Sequence, residues 1–412
     1  MSEPEAPGRP PGSGWAAWAE QACRRVEADG QWRRPRSFDA LGPTGLLEGA
    51  GGDADGGSTP GSVVSFASND YLGLSLHPAV IAAAHHALDR WGAGSGASRL
   101  VTGSRPVHRQ LEGALASWKG CERSLLLPTG FAANLAVLSV FGTEGSHLFS
   151  DALNHASIID GTRLARGQTT VYPHRDLDHL DAALDDASGR PLIVTDTVFS
   201  MDGDEADLDR LVAMAARHGA LLVLDEAHAV LGPDLPPPAH GRVDVLRVGT
   251  LSKTLGSLGG FVAGPARFIE LLENRARPYI FTTAGTPADA AAALAALEIL
   301  RSPEGEVLCS RLAHHVSRVN KVVGGHTWPT PIIPVVIGEE AAALEASAAL
   351  LRRGLWVPAI RPPTVPHGAS RLRITLSASH RDDQIDRLTE ALVDLGLDGL
   401  AAADRTRGGL AS

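Results

Sequence analysis

Lys253 is one of only three lysines in the 412-residue chain, the others being Lys119 and Lys321. It lies in the segment Val248–Gly256, where small and apolar residues surround it. Desolvation in such a setting would lower the pKa of the amine, as a lysine nucleophile requires. We interpret Lys119, at the end of a predicted helix, and Lys321, in a charged helix, as surface residues. A lysine-dependent reaction would therefore use Lys253.

A carboxylate ends a short apolar run in the segment Leu221-Leu-Val-Leu-Asp225. Four consecutive apolar residues predict a buried strand, and an acid at its carboxyl end would face the ligand crevice of a parallel sheet. Alone, Asp225 could instead cap a helix. Together with Lys253 it suggests pyridoxal phosphate (PLP), which needs a lysine for a Schiff base and a carboxylate to keep its pyridine nitrogen protonated.

The same cofactor needs a cradle for its phosphate, and the segment from Pro128 to Asn134 could supply one. A strand end, Gly130 and the first turn of a helix follow one another there, so free N–H groups and the helix dipole would favour a dianion. Taken alone, the segment would be an ordinary strand–helix connection. His155, which opens another predicted helix, could stack on the cofactor ring or form only a local hydrogen bond.

Two arginines, Arg371 and Arg373, alternate along a predicted strand and therefore lie on one face of it. A guanidinium group suits the α-carboxylate of an amino acid, although a salt bridge would explain either arginine as well. Other catalytic signatures are missing from the sequence. There is no G-x-S-x-G or H-E-x-x-H, and the glycines of Gly92–Gly96 do not match G-x-G-x-x-G.

The composition narrows the class of protein. A chain of 412 residues, 44% of them hydrophobic, can form two packed lobes. A net charge of −10 argues against general nucleic-acid binding. Three widely spaced cysteines predict neither a disulfide framework nor a metal site. The N-terminus lacks the apolar region of a signal peptide and no apolar run reaches the ~18 residues of a membrane span, so we expect a cytoplasmic enzyme.

Apolar runs of strand length alternate with stretches of helical period between residues 62 and 300, which predicts a large α/β domain with a mostly parallel sheet. Its predicted strands are Ser124–Pro128, His147–Asp151, Thr169–Pro173, Leu192–Val198, Leu221–Ala227 and Gly260–Gly264. Its predicted helices include Phe131–Phe141, Leu177–Ala187 and Asp207–His218. Residues 301–398 predict a smaller α+β domain, with strands Ile332–Ile337, Trp356–Ile360 and Leu372–Leu376 and a final helix from Asp383.

The two ends of the chain predict less order. Residues 1–61 are interpreted as an N-terminal arm with a flexible Gly/Asp/Ser-rich segment at 49–61, and residues 399–412 as a disordered tail. Five arginines crowd the arm at positions Arg24, Arg25, Arg33, Arg34 and Arg36. They form either a solvated face or a contact for an anion.

Several ordered sequence blocks resemble those of the α-oxoamine synthases, a branch of the fold-type-I PLP enzymes. The resemblance extends from Ser68 to His380, most of the chain. Its blocks are Ser68–Leu74, Gly94–Gly103, Val198–Asp204 and Asp225-Glu-Ala-His228. It implies an aspartate-aminotransferase-like fold, with a seven-stranded, mostly parallel sheet in the large domain, and a PLP-dependent acyltransferase activity.

The resemblance also implies roles for individual residues. Lys253 resembles the Schiff-base lysine, Asp225 the partner of the pyridinium nitrogen, and His155 the histidine that stacks on the ring. Further implied cofactor contacts are Gly130, Phe131, Ser200, His228 and Thr250. Thr282 and Thr283 resemble residues that reach the phosphate from a second subunit, which implies a homodimer with shared active sites. The implied substrate contacts are Arg33, Asn69, Ser98, Arg361, Thr364 and Arg373.

Within the family, Ala359–Pro366 is most similar to the biotin-pathway member, and Ser98 also favours that member. This implies a decarboxylative condensation of L-alanine with a pimeloyl thioester, carried by coenzyme A or a carrier protein. The alternatives are a sister synthase with another amino acid and acyl group, a non-catalytic PLP-fold subunit, and an aminotransferase. Two segments depart from the family pattern, Ala229–Gly232 and Phe281–Pro287, and would alter the mouth of the site.

Overall fold

The computed structural model describes residues 14–50, 61–235, 243–324 and 327–399. Its helices are α1 (Trp15–Ala28), α2 (Pro78–Trp91), α3 (Pro106–Lys119), α4 (Gly130–Phe141), α5 (Ala156–Leu164), α6 (Leu177–Asp185), α7 (Leu208–His218), α8 (Ala266–Arg275), α9 (Arg277–Ile280), α10 (Pro287–Leu300), α11 (Pro303–Val323), α12 (Glu340–Arg352) and α13 (Asp382–Asp394). Its strands are β1 (Phe38–Ala40), β2 (Thr44–Leu47), β3 (Gly61–Ser65), β4 (Arg123–Leu127), β5 (Ser146–Asp151), β6 (Gln168–Tyr172), β7 (Arg190–Asp196), β8 (Leu221–Asp225), β9 (Val245–Thr250), β10 (Gly260–Gly264), β11 (Ile332–Gly338), β12 (Leu355–Trp356), β13 (Ala359–Ile360) and β14 (Ser370–Thr375). Within these described ranges no helix is long and apolar enough to cross a bilayer.

The central sheet has seven strands in the order β4-β10-β9-β8-β7-β5-β6. Strand β10 is antiparallel to both of its neighbours, and the other pairs are parallel. Strands β5, β7 and β8 are buried along most of their length, as expected where helices cover both faces of a parallel sheet. The carboxyl ends of β5, β7, β8 and β9 meet at one edge, which is the usual place for a ligand.

The predicted elements of the large domain are present, each within two residues at either end. Strand β9 was not among the predicted strands, because Arg247 interrupts its apolar run. Arg247 is nevertheless buried, since its guanidinium group pairs with Glu226 on the neighbouring strand end. A core strand that carries one partner of a buried ion pair can therefore be missed when strands are predicted from hydrophobic pattern alone.

Two smaller sheets complete the fold. Strands β11, β14 and β13 form an antiparallel sheet, and β1, β2, β3 and β12 form another in which β12 is parallel to β3. The prediction of one strand over Trp356–Ile360 is wrong, because β12 and β13 join different sheets. Pro358 lies between them and has no N–H to donate to a continuous ladder.

The chain ends and the domain limits are tested less directly. Strands β2 and β3 pair as a hairpin around the predicted flexible segment. Residues 51–60 of that segment lie outside the described residues, as do residues 1–13 of the predicted arm and residues 400–412 of the predicted tail. The domain boundaries remain predictions.

One core cluster joins the small sheets to the helices beside the central sheet. It includes Phe66 after β3, Phe261 in β10, Leu297 in α10, Leu312 in α11 and Ile374 in β14, all nearly inaccessible to solvent. Burial of such side chains contributes about 2 kcal/mol each, so this cluster holds the C-terminal sheet firmly in place. Strand β14, which carries Arg371 and the predicted substrate contact Arg373, is thereby fixed beside the edge of the central sheet.

Candidate active site

Asp225 ends β8 and is buried at the carboxyl edge of the central sheet. Its Oδ2 accepts a hydrogen bond from Asn134 Nδ2 at 2.6 Å, and its Oδ1 accepts one from the backbone N–H of Ala227 at 3.0 Å. Asn134 lies in α4, one turn beyond Gly130. Two donors therefore orient a carboxylate whose surroundings are otherwise those of a buried strand.

Lys253 follows β9 in a tight turn, and its Nζ lies 2.7 Å from His228 Nε2. Burial lowers the pKa of Lys253 to about 8, although the carboxylates of Asp225 and Asp196 act in the opposite direction. An amine with this pKa is present in both protonation states near neutral pH. That is the property expected of a lysine that acts as nucleophile and general base.

A chain of hydrogen bonds leads away from Lys253. His228 Nδ1 lies 2.5 Å from the hydroxyl of Tyr71, which in turn lies 3.3 Å from Asn69 Oδ1. Arg373 Nη2 donates to the same Asn69 oxygen at 3.2 Å. Burial, and then the nearby Lys253 and Arg373 cations, hold the pKa of His228 well below its usual value, so the imidazole is neutral. With Nε2 accepting from Lys253, Nδ1 carries the proton and donates to Tyr71.

His155 caps the start of α5 and is linked to Asp225 through Ser157 and Asn134. Its Nδ1 accepts from the hydroxyl of Ser157 at 2.8 Å, and that hydroxyl accepts from Asn134 Nδ2 at 2.8 Å. The backbone N–H of His155 donates to Asp196 Oδ2 at 2.7 Å. Burial lowers the pKa of His155 despite the attraction of Asp225. A neutral, fixed imidazole thus lies beside the carboxylate, as a ring-stacking role requires.

The residues of the predicted phosphate cradle lie at the start of α4, which packs against the end of β9. Thr129 caps α4 by accepting from the N–H of Ala132 at 3.0 Å. The N–H groups of Gly130 and Phe131 have no hydrogen-bond acceptor among the described residues. A Cβ on Gly130 would lie 3.3 Å from Thr250 Cβ, so only glycine lets these segments approach without displacement. Two backbone donors therefore remain available to an anion, and the Thr250 hydroxyl beside Gly130 donates to the oxygen of Gly259 at 3.0 Å.

The two arginines of β14 have different partners. Arg371 Nη1 forms an ion pair with Asp202 at 2.5 Å, which confirms the salt-bridge alternative for this residue. Arg373 instead donates to the backbone oxygen of Ser200 at 2.5 Å and to Asn69, and no carboxylate among the described residues pairs with it. Its buried guanidinium charge is therefore the one available to a substrate carboxylate.

The remaining predicted substrate contacts lie in two groups. Arg33 Nη2 is 3.4 Å from Thr364 Oγ1, and Arg361 donates to the backbone oxygen of Gly30, so the N-terminal arm lies against the 361–364 turn. Ser98 precedes the short helical turn Arg99–Gly103. The predicted substrate-binding roles of these residues remain predictions.

Thr282 and Thr283 line a cavity together with Pro128 and Leu251, which shortly precede Gly130 and Lys253 in sequence. Their segment is anchored to the Ser98 region by a hydrogen bond from the N–H of Ala284 to the oxygen of Ala97 at 3.0 Å. No hydrogen bond joins either threonine to the Lys253 group among the residues with described positions. This placement is compatible with the predicted contribution to the site of a second subunit.

The prediction that Lys119 is a surface charge is wrong. Its side chain is only 8% exposed, and its Nζ lies 2.7 Å from Glu226 Oε2 and 3.7 Å from the ring centre of Trp118. Arg247 Nε contacts the other oxygen of Glu226 at 2.5 Å. The carboxylate on a distant part of the chain compensates for the desolvation of the ammonium group.

Sequence reasoning missed four residues that hold the site together. Tyr71 and Asn134 were noted only as parts of motifs, and Asp196 and Ser157 were given no role. Asp196 is an acid at the carboxyl end of a buried strand, the same signal that identified Asp225. Asn134 is a single amide in an otherwise apolar helix, which was the signal available for it.

These residues fit pyridoxal phosphate. A buried amine and a buried carboxylate belong to one edge of the sheet, and two N–H groups at a helix start remain for a phosphate. Asn134 Oδ1 is buried without a hydrogen-bond partner among the described residues, which marks a polar group beside Asp225 that the chain itself leaves unsatisfied. The chain thus offers a partner for each polar end of the cofactor.

The fold and this site define a class of protein, and comparison with known proteins supports it. The family described as aminotransferase class I and II matches residues 61–392. A serine palmitoyltransferase from S. paucimobilis, solved with a bound PLP–myriocin aldimine, has a TM-score of 0.81 and 28% identity, covering 92% of this chain and 98% of that one. An 8-amino-7-oxononanoate synthase structure from Francisella tularensis has a TM-score of 0.68 and 26% identity, covering 81% and 98%.

The most specific comparison is with curated sequences. The 8-amino-7-oxononanoate synthase of Paraburkholderia xenovorans (strain LB400) is 45% identical over 393 residues, which are 91% of this chain and 97% of that protein. The chain therefore belongs to the 8-amino-7-oxononanoate synthase family, within the class I and II aminotransferase fold. The predicted fold class, family and PLP dependence are confirmed.

Proposed function

We propose that the chain is a PLP-dependent acyltransferase of biotin biosynthesis that condenses L-alanine with a pimeloyl thioester, giving 8-amino-7-oxononanoate, CO2 and a free thiol. The observation that carries this proposal is the placement of Lys253 and Asp225 at one sheet edge, in a chain 45% identical to an 8-amino-7-oxononanoate synthase. When bound, PLP supplies an electron sink for negative charge at the substrate α-carbon.

Lys253 is proposed to hold the cofactor and then to move the substrate α-proton. An amine with a pKa of about 8 can accept a proton and return it with little driving force in either direction. His228 keeps the Nζ in place through the 2.7 Å contact and stays neutral, so it adds no competing positive charge. The hydrogen-bond chain through Tyr71 holds the imidazole in the tautomer that accepts from Lys253.

Asp225 is proposed to keep the pyridine nitrogen protonated, which maintains the electron sink. The hydrogen bonds from Asn134 and from the N–H of Ala227 fix the carboxylate before any ligand arrives. A fixed charge needs no reorganisation during the reaction, so its full effect is felt in the transition state. His155 would cover one face of the ring and exclude water from it.

Arg373 and Asn69 are proposed to bind the carboxylate of alanine. Arg373 is buried and held by the oxygen of Ser200, and its guanidinium group can offer parallel N–H donors. The acyl chain would enter past Thr364, Arg361 and Arg33, where an arginine charge suits a terminal carboxylate. The second subunit of a homodimer would add Thr282 and Thr283 near the phosphate, and we propose a cytoplasmic location.

The test combines a covalent label with product analysis. Borohydride reduction of the PLP-loaded protein should place a pyridoxyl group on Lys253, and with three lysines in the chain the labelled peptide is unambiguous. Lys253→Ala should abolish product formation, whereas Lys321→Ala, at an exposed position, should leave it unchanged. Turnover by Lys253→Ala at the wild-type rate would refute the assignment.

A second candidate is a sister synthase that uses another amino acid or acyl group. The observation in its favour is the TM-score of 0.81 to a serine palmitoyltransferase, which exceeds the 0.68 to the solved 8-amino-7-oxononanoate synthase. Thiol release measured with alanine, glycine and serine against thioesters of several lengths would separate the candidates. A non-catalytic subunit would show no thiol release with any pair, and an aminotransferase would release an oxo acid without CO2.

A further inference from the structure

His174 follows β6 and lies between two buried carboxylates. Its Nδ1 is 2.9 Å from Asp151 Oδ1, and its Nε2 is 2.9 Å from Asp204 Oδ2. The two aspartate side chains are only 1% and 3% exposed. Both ring nitrogens must donate to satisfy two carboxylates, so the ring carries both protons. A charged imidazolium therefore connects two segments that are far apart in sequence.

The first of these segments leads to His155. Asp151 ends β5, and its carboxylate also accepts from the N–H of Leu153 at 2.8 Å and from the N–H of Arg175 at 2.8 Å. These bonds fix the turn between β5 and α5, at the end of which His155 begins its helix. Asp151 therefore orders the turn that leads to His155, whose own N–H and ring are held by Asp196 and Ser157.

The second segment leads to Ser200 and Arg373. The backbone oxygen of Asp204 accepts from the N–H of Phe199 at 3.0 Å, which closes a loop around Ser200. The Phe199 ring meets the His174 ring edge-on, with 4.4 Å between ring centres. Ser200 in turn supplies the backbone oxygen that binds Arg373. The loop is therefore held by His174 on one side and by β14 on the other.

We propose that His174 is a positioning residue for the reaction, which fixes the His155 turn to the Ser200 loop and so sets the gap between two walls of the cofactor site. This inference rests on the proposed function, because the gap matters only if it holds the cofactor. His174 itself touches neither Lys253 nor Asp225 in any recorded hydrogen bond among the described residues.

The charges around His174 fix the direction of its pH dependence. Burial would lower the pKa of His174, but the hydrogen bonds and charges of Asp151 and Asp204 raise it to about 9. Arg175 also pairs with Asp204, at 3.1 Å. The other titratable groups facing the cluster are Tyr172, Glu205 and Asp196, all with raised pKa, each chiefly through burial.

The raised pKa of His174 decides in which direction stability changes with pH. The folded protein holds the His174 proton more tightly than the unfolded chain, whose histidine pKa is 6.5. The contribution of the bridge is complete below about pH 6.5 and is lost as the pH rises through about 9. Above that pH the neutral ring can donate to only one of the two carboxylates, so the His174 bridge is lost and only the contacts of Arg175 still join Asp151 to Asp204.

The experiment compares His174→Gln with the matched control Arg175→Gln in the PLP-loaded protein. Glutamine carries no charge, and both of its N–H donors are on one nitrogen, so it cannot reproduce the two opposed donors of the imidazolium. Arg175→Gln removes a cation from Asp204 and keeps the backbone N–H that donates to Asp151. His174→Gln should change the visible circular dichroism of the bound cofactor and lower kcat by roughly 10- to 100-fold, and Arg175→Gln should change both much less. Equal losses in the two variants would overturn the proposal.

The ratio of wild-type to His174→Gln kcat gives the pH test. It should fall toward one as the pH rises through about 9, since titration of Lys253 is common to both proteins and cancels. A ratio that does not change with pH would contradict the bridge. If His174→Gln yields no folded protein, Asp204→Asn is the alternative variant, since it keeps an acceptor for His174 Nε2 but removes a negative charge. It should move the pH midpoint of the visible circular dichroism signal downward. An unmoved midpoint would overturn the proposal. The visible signal needs neither alanine nor thioester, so it fails independently of the proposed reaction.

Discussion

Glu226 is the carboxylate on which two buried cations depend. Its oxygens face Lys119 Nζ at 2.7 Å and Arg247 Nε at 2.5 Å, with all three side chains at most 8% exposed. Burial would raise the pKa of Glu226, but Lys119 and Arg247 more than offset this and lower it. The perturbation of interest is Glu226→Gln, which keeps the shape and removes the charge.

Replacement of Glu226 and replacement of Lys119 should lower the free energy of unfolding by different amounts. Removal of Glu226 leaves two cations facing each other without a counter-ion, and the loss of one partner of a buried pair costs about 3–5 kcal/mol. Lys119→Met leaves the Glu226–Arg247 pair intact and keeps an unbranched side chain against Trp118. It should cost about 2 kcal/mol, because the cation–π contact is lost and the buried Oε2 of Glu226 loses its contact with an ammonium group.

The double variant tests the reasoning directly. With Lys119 already replaced by methionine, Glu226→Gln leaves only Arg247 unpaired, and Arg247 still donates to the backbone oxygen of residue 119 at 2.9 Å. The cost of Glu226→Gln should therefore fall by about 2 kcal/mol in this background, within the range known for residues in contact.

Urea unfolding followed by far-ultraviolet circular dichroism measures these differences. Protein and PLP concentrations must be equal in all four proteins, since ligand binding adds to apparent stability. The Glu226 contribution should be present above about pH 4.5 and lost as the pH falls through its lowered pKa. Additive costs within about 0.5 kcal/mol would refute the coupling.

Three further predictions concern the site itself. Asp225→Asn should lower kcat by roughly 10³-fold while borohydride still labels Lys253, because the oriented charge is lost and the amine is not; a near-wild-type kcat would exclude the pyridinium role. Arg373→Lys should raise the KM for the amino acid about tenfold, because lysine lacks the planar guanidinium group that binds a carboxylate through two N–H donors. Arg371→Lys should change this KM little, because the partner of Arg371 is Asp202. Steady-state kinetics would show the reverse order if the assignment is wrong. In the PLP-free protein, acetylation of Lys253 should have its midpoint near pH 8 rather than 10.5, and stability should rise between these values as the unfolded chain binds more protons; a midpoint near 10.5 would contradict the effect of burial.

Much of the fold follows from local pattern, and its exceptions have physical causes. The alternation of apolar runs with helical periods predicted six strands of the central sheet, because strands buried on both faces have little choice of residue. Strand β9 was missed because Arg247 relies on a carboxylate 21 positions earlier in the chain. The N-terminal strands were missed because β1, β2 and β3 are short and pair mainly with one another at the rim.

The site was predictable where residue type alone was informative. Lys253 and Asp225 were found because a lysine among small residues and an acid after an apolar strand both contradict their local pattern. His174 offered no such signal, since its two partners come from β5 and from the loop after β7. No sequence signal marked Tyr71 either, because its role depends on a hydrogen bond to His228, 157 positions away in the chain. Long-range polar contacts of this kind are not encoded in periodicity.

The two partly or fully buried lysines illustrate how surroundings decide the chemistry of one residue type. Lys119 lies against a carboxylate and an indole ring, so its charge is matched within the core. Lys253 has a neutral imidazole as its nearest partner, and burial outweighs the attraction of Asp225 and Asp196. An acid at hydrogen-bond distance from Lys253 would favour the ammonium form and remove the free amine that the reaction needs. The neutrality of His228 is therefore as necessary to the proposed chemistry as the lysine itself.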